Sequence, residues 1–119
     1  MDASGELHDT PHEAGAFLWE LEATIAERTR ASAAKSYTKS LLDAGAGKIG
    51  EKIREEAAEL SAALASESEE RVASEAADVL YHLLVGLRLR GVPLRRVIEV
   101  LADRAGTSGH DEKAARAPK

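Results

Sequence analysis

An all-α domain, a bundle of four or five helices, is what this sequence predicts, and three observations predict it. Between Ala16 and Arg104 apolar residues recur every three or four positions, the spacing of one face of a helix. The aromatic side chains are only Phe17, Trp19, Tyr37 and Tyr81 in a chain of 119 residues that is 44% hydrophobic. The core must therefore be built from Ala, Leu, Val and Ile, an economy that favours packed helices over a sheet. The length, finally, leaves room for one core only.

The elements follow in order. Met1 to Gly15 mixes Gly, Pro, Asp, His and Ser without a period and is expected to be loosely ordered, as is the tail from about Gly106 to Lys119. The domain is expected over 16–105. Phe17, Leu18, Leu21 and Ile25 place a first helix over about Ala16 to Arg30, with Glu20, Glu22 and Glu27 on its outside. A short helix is expected over Lys39 to Asp43, ended by Gly45 and Gly47. Ile49, Ile53, Ala57, Leu60 and Leu64 then mark a long helix from about Ala46 to Ala65. Ser68, with Glu70 and Arg71 behind it, opens a third helix whose stripe is Val72, Ala76, Val79, Leu80, Leu83 and Leu87, capped at Gly91. Pro93 suits the first turn of a last helix carrying Leu94, Val97, Ile98 and Leu101. Because Leu84, Val85 and Leu89 lie away from the third helix's stripe, more than one of its faces must be covered, and a homodimer packed through this helix is expected.

Composition narrows the chemistry. The absence of cysteine excludes a disulfide scaffold, a thiolate metal site and a Cys nucleophile, so a metal would be held by oxygen ligands or the four His, and oxygen ligands favour a hard cation. A net charge of −5 without a basic block argues against nucleic-acid polymers, but not against a small phosphorylated substrate held through a metal. Met1 to Gly15 has no apolar run of the signal-peptide kind, and no stretch approaches the roughly 20 apolar residues of a membrane span, so a cytoplasmic protein without a membrane partner is expected.

Two acidic pairs at i, i+3 stand out, Glu56 with Glu59 on the long helix from about Ala46 to Ala65 and Glu75 with Asp78 on the third helix. At about 100° per residue, Glu56 lies at about −20° from Ile49, beside a stripe of roughly 0° to 80°. Glu75 and Asp78 lie at about −60° and −120° from Val72, on the flank of their own stripe. If the short Ser66 to Glu69 connection makes the helices antiparallel, the four carboxylates converge at the edge of the shared core. Like charges about 4 Å apart repel by about 1 kcal/mol in water and about 4 kcal/mol at an effective dielectric of roughly 20, so something positive is expected among them. Mg²⁺ meets that need, since it takes oxygen ligands, keeps waters and accepts substrate phosphates. Lys48 and Lys52, eight and four residues before Glu56, are placed to neutralise phosphate oxygens. Acidic pairs also occur on plain solvated helix faces, and Lys52 with Glu56 is an ordinary helix-surface pair. His82, four residues after Asp78, is placed either to touch a substrate or orient a carboxylate, or to stand as a hydrogen-bonded edge histidine. Tyr81 belongs to the core or to a stacking surface. His8, His12 and His110 read as solvated.

These residues also carry a family resemblance. Glu56-Glu59, fifteen intervening residues and Glu75-Asp78 resemble the signature of the all-α nucleoside triphosphate pyrophosphohydrolases. Ser36-Tyr37-Thr38, Leu42, Gly45, Lys48-Ile49, the run Lys52 to Glu59, the run Glu75 to Leu84, and the Arg90-Gly91-Val92-Pro93-Leu94 turn bring it closest to the phosphoribosyl-ATP pyrophosphohydrolases, over roughly Leu18 to Leu101. The resemblance implies Mg²⁺-dependent hydrolysis of phosphoribosyl-ATP to phosphoribosyl-AMP and pyrophosphate, the second step of histidine biosynthesis. It implies Glu56, Glu59, Glu75 and Asp78 as metal ligands, Glu55 as the group that holds or deprotonates the attacking water, and Lys48 and Lys52 on the phosphates. Ser36, Tyr37, Thr38, Arg28 and His82 are its candidates for the rest of the nucleotide substrate. The chain carries no sign of the partner domain of fused forms, so a stand-alone protein is expected. A house-cleaning enzyme acting on free nucleoside triphosphates and a non-catalytic helical dimerisation module remain the alternatives.

Overall fold

The computed structural model describes residues 11–106, which form five helices and no strand. They are α1 (Pro11–Arg28), α2 (Tyr37–Ala44), α3 (Ala46–Ser66), α4 (Glu69–Arg90) and α5 (Leu94–Ala105). The all-α expectation stands. The expectations placed on 1–10 and 107–119, including solvated His8 and His110, fall outside the described residues.

The local chemistry explains most boundaries. α1 begins at Pro11 rather than Ala16, so Pro11–Gly15, expected to be irregular, is helical. Pro lacks an N–H that the first turn does not use, and Glu13 complements the positive end of the helix dipole. The buried Ser36 caps α2, its Oγ accepting from the Lys39 N–H at 3.1 Å, which starts this helix two residues before the expected Lys39. Ser68 caps α4 in the same way through the Arg71 N–H at 3.2 Å. At the far end Gly91 adopts φ 68°, with its N–H bonded to the Arg88 carbonyl and that of Val92 to the Leu87 carbonyl, a Schellman motif that needs left-handed backbone. Pro93 is the N-cap of α5, one position before the first turn. It offers no side-chain cap. Glu22 of α1, expected on the outside, supplies one instead, accepting from the Leu94 N–H at 2.7 Å and tying α5 to α1.

The core is Ile25, Leu41, Ile49, Leu84, Val85 and Leu94, contributed by all five helices. The largest interface is that of α3 with α4. Along it the half-buried or buried residues of α3 are Ile49, Ile53, Glu56, Leu60 and Ala63, and those of α4 include Val72, Glu75, Val79, His82, Gly86 and Leu89. Both series alternate steps of three and four, the spacing of a coiled-coil seam. The seam is antiparallel: a β-carbon on Gly86 would stand 3.4 Å from Ile49 and 3.8 Å from Ile53, and further along it Glu56 meets Asp78 and Glu75. This corrects the expected stripes. Ala57 and Leu64 of α3, and Leu80 and Leu83 of α4, face outward, while the polar Glu75 and His82 are buried. Leu84 and Val85, expected to need an outside partner, are covered within the chain, where α1 and α2 pack on α4.

Candidate active site

Three carboxylates meet on the α3–α4 seam. Glu56, Glu75 and Asp78 each offer an oxygen within 4.8 Å of the others. Glu56 enters from the middle of α3 because it occupies the seam position between Ile53 and Leu60. Glu75 and Asp78, one turn apart, project from α4 towards it. Glu59, a turn beyond Glu56, lies against the Glu75 carboxylate but outside this trio.

The electrostatics record the crowding. Burial, then repulsion by Glu59 and Asp78, raises the Glu56 carboxyl above its ordinary range, against the pull of His82, which acts only when that ring is protonated, and of Lys52. Close contact with the Glu59 carboxylate and burial raise Glu75 likewise, opposed by Arg71. Glu75 is 4% exposed, and one of its oxygens, Oε2, is buried without a hydrogen-bond partner. Such an oxygen costs about 1–3 kcal/mol or more unless a cation or a proton satisfies it. An all-oxygen donor set with a buried, unfilled acceptor fits a hard divalent cation. Among the described residues this is the group of carboxylates arranged to hold one.

The remaining candidates surround it unevenly. Glu55 is exposed, lies outside the trio and pairs with Lys52 at 3.2 Å, which holds its carboxyl below the usual range and raises the Lys52 ammonium. Lys52 also acts on Glu56 and on the Tyr37 hydroxyl, so its charge lies between the carboxylates and α2. Lys48 pairs with Glu51 at 3.6 Å on the exposed side of α3. Arg28, exposed at the end of α1, makes no ion pair with the carboxylates.

A polar cluster flanks the trio where α2 crosses α4. His82 Nδ1 lies 2.8 Å from the Asp78 carbonyl, and Tyr37 Oη lies 3.0 Å from His82 Nε2. A carbonyl only accepts, so Nδ1 carries the proton. In the neutral ring Nε2 is then an acceptor, and the Tyr37 hydroxyl donates to it. With its single proton committed, the Tyr37 oxygen has only lone pairs left, suited to a ligand N–H or O–H. The Tyr37 ring is 52% exposed and stacks on Tyr81, with centroids 6.2 Å apart and planes at 19°. Thr38, itself buried, hydrogen-bonds the Tyr81 hydroxyl. Ser36 is buried and spends its hydroxyl on the cap of α2. Ser36 and Thr38 thus build the wall, whereas Tyr37 presents a free surface.

Sequence reasoning singled out Arg71 only as a helix opener. In the structure its guanidinium bonds Glu75 at 2.7 Å. The available signal was its position, four residues before an acid on the same helical face.

Comparison with known proteins identifies the chain's relatives. The family model for phosphoribosyl-ATP pyrophosphohydrolase matches residues 18–105, which span all of the carboxylates and the α2–α4 cluster. The chain is 48% identical over 99 residues to the phosphoribosyl-ATP pyrophosphatase of Azorhizobium caulinodans, covering 83% of this chain and 91% of the relative. It is 53% identical over 96 residues to that of Rhodospirillum rubrum, covering 81% and 82%. For that of Paramagnetospirillum magneticum the figures are 47% over 102 residues, 86% and 94%. With the match running through nearly the whole helical domain, the chain belongs to the phosphoribosyl-ATP pyrophosphohydrolase family.

Proposed function

We propose that this protein hydrolyses phosphoribosyl-ATP between its α- and β-phosphates, releasing phosphoribosyl-AMP and pyrophosphate, in the second step of histidine biosynthesis in the cytoplasm. The observation that carries the reading is the buried, unpartnered Glu75 oxygen among converging carboxylates, in a chain of this family. Glu56, Glu59, Glu75 and Asp78 would hold Mg²⁺. When bound, Mg²⁺ supplies neutralisation of the phosphate charge and polarisation of the bond to be broken.

The chain's own residues do the rest. Lys52, and Lys48 from one turn earlier, donate to phosphate oxygens. Glu55 holds the attacking water. While Lys52 pairs with it, Glu55 is a weak base that orients a water by accepting its hydrogen bond. Engagement of Lys52 by phosphate withdraws that partner and restores basicity, so proton uptake is tied to substrate being in place. Tyr37, with His82 fixing its hydroxyl and Tyr81 backing its ring, receives the base or ribose of the substrate, and Arg28 meets its outer part. Ser36 and Thr38 position this wall. No covalent nucleophile is needed.

In this reading the protein works as a homodimer. Exposed Leu80 and Leu83 on α4, with Leu64 on α3, support it, since they form an apolar face that α1 and α2 do not reach. Sedimentation of the full chain reads this: a monomer throughout the micromolar range would overturn it.

The deciding experiment measures pyrophosphate release from phosphoribosyl-ATP, ATP and dCTP, with Mg²⁺ and with excess chelator. Metal-dependent release from phosphoribosyl-ATP alone is expected. Comparable release from dCTP would transfer the site to the clearance of free nucleotides, and no release from any of the three would remove the enzymatic reading.

A further inference from the structure

The two oxygens of Glu75 have different surroundings. Oε1 accepts from Arg71 Nη2 at 2.7 Å, whereas Oε2 is buried without a partner. Arg71 is itself anchored. Its Nε donates to Glu67 Oε1 at 3.2 Å, and its backbone N–H to the Ser68 cap at 3.2 Å. Glu67, Ser68 and Arg71 thus form one frame at the start of α4, and that frame reaches a single oxygen of Glu75.

We propose that Arg71 is a positioning residue for the metal centre: its guanidinium engages Oε1, fixes the rotamer of Glu75 and leaves Oε2 for the cation. The inference rests on the metal-centre reading above. Two features of the geometry favour it over a plain ion pair. The Arg71 side chain is 57% exposed, and a pair with so exposed a cation contributes little to stability by itself. Its partner, by contrast, is a 5% exposed carboxylate side chain whose orientation decides whether the cluster can close around an ion. Partners that orient a metal ligand in this way typically change metal affinity by about 10–100-fold when removed.

The competing role is that of a resident counter-cation, which would occupy Glu75 until a metal displaces it. The two roles differ in sign. Deleting a competing positive charge tightens metal binding, whereas deleting a positioning group weakens it.

Mn²⁺ serves as the probe, with binding to the full chain followed by titration calorimetry and by the Mn²⁺ resonance signal, and the fold checked by far-UV circular dichroism. Arg71→Ala is expected to weaken Mn²⁺ about tenfold or more. Arg71→Lys, which keeps the charge but cannot fork between Glu67 and Glu75, is expected to fall between that variant and the wild type. Glu67→Gln, which loosens the anchor alone, gives a smaller loss. Unchanged or tighter binding in Arg71→Ala overturns the inference and identifies a counter-cation. Should Arg71→Ala not fold, Arg71→Lys decides, with wild-type affinity as the overturning result. Absence of Mn²⁺ binding to the wild-type chain would instead overturn the metal centre itself, so the two failures are distinguishable.

Discussion

Replacing Glu56 with Gln keeps the shape of the side chain and removes one negative charge from the trio. The ligand oxygens of Glu56, Glu75 and Asp78 lie within 4.8 Å of one another. At that separation two unit charges repel by about 0.9 kcal/mol in water and by about 3.5 kcal/mol at an effective dielectric of roughly 20. Glu56 is half-buried, so its repulsion falls between those limits, and attraction to Lys52 offsets part of it. A net relief of about 1 kcal/mol follows, which for a domain of this size raises Tm by roughly 4–8 °C. Thermal melts in excess chelator near pH 7.5, at low ionic strength, should therefore show Glu56→Gln melting above the wild type. With Mg²⁺ the order reverses: ligand at about 100 times its Kd stabilises the wild type by about 2.7 kcal/mol, and the variant has lost a ligand. A variant that melts at or below the wild type in chelator, and still gains the full Mg²⁺ shift, refutes the reasoning.

Three further outcomes follow from the same geometry. Glu56 and Glu75 titrate above the unfolded carboxylate value, so the native state holds more protons between the unfolded and the raised values. Their contribution to stability is present below the unfolded pKa and is lost as pH rises through the raised ones; the chelated wild type should thus lose Tm relative to Glu56→Gln from mild acid to neutral pH, and a pH-independent difference would contradict this. Tyr37→Phe keeps the stacked ring but removes the hydroxyl, an interaction of about 1 kcal/mol, so KM for phosphoribosyl-ATP should rise about fivefold with Mn²⁺ affinity unchanged; an unaltered KM removes Tyr37 from the substrate face. Ile25→Ala, at a position 1% exposed, should destabilise by about 2–5 kcal/mol in denaturant melts, and a loss below 1 kcal/mol would show that α1 is not integral to the core.

The helical class, most of the helix ends and the family are legible in the chain before it folds. Periodicity, caps at Ser68 and Gly91, and the spacing of Glu56, Glu59, Glu75 and Asp78 are local properties, and local chemistry carries them. It also led to the antiparallel α3–α4 pair, because a connection as short as Ser66 to Glu69 leaves no other route. Which residues occupy the seam was decided only by tertiary structure. Apolar counting drew the stripe of α4 through Leu80 and Leu83, yet the packed face runs through Glu75 and His82, since hydrophobicity cannot reveal where a fold sets acids for a ligand. The same holds for contacts distant in sequence, such as Glu22 capping α5 from α1, or Tyr37 bonded to His82 across 45 positions. Arg71 is the instructive middle case. Its i, i+4 relation to Glu75 is written in the chain, but that it holds one oxygen and leaves the other bare depends on Glu75 being buried against α3, which no local rule contains.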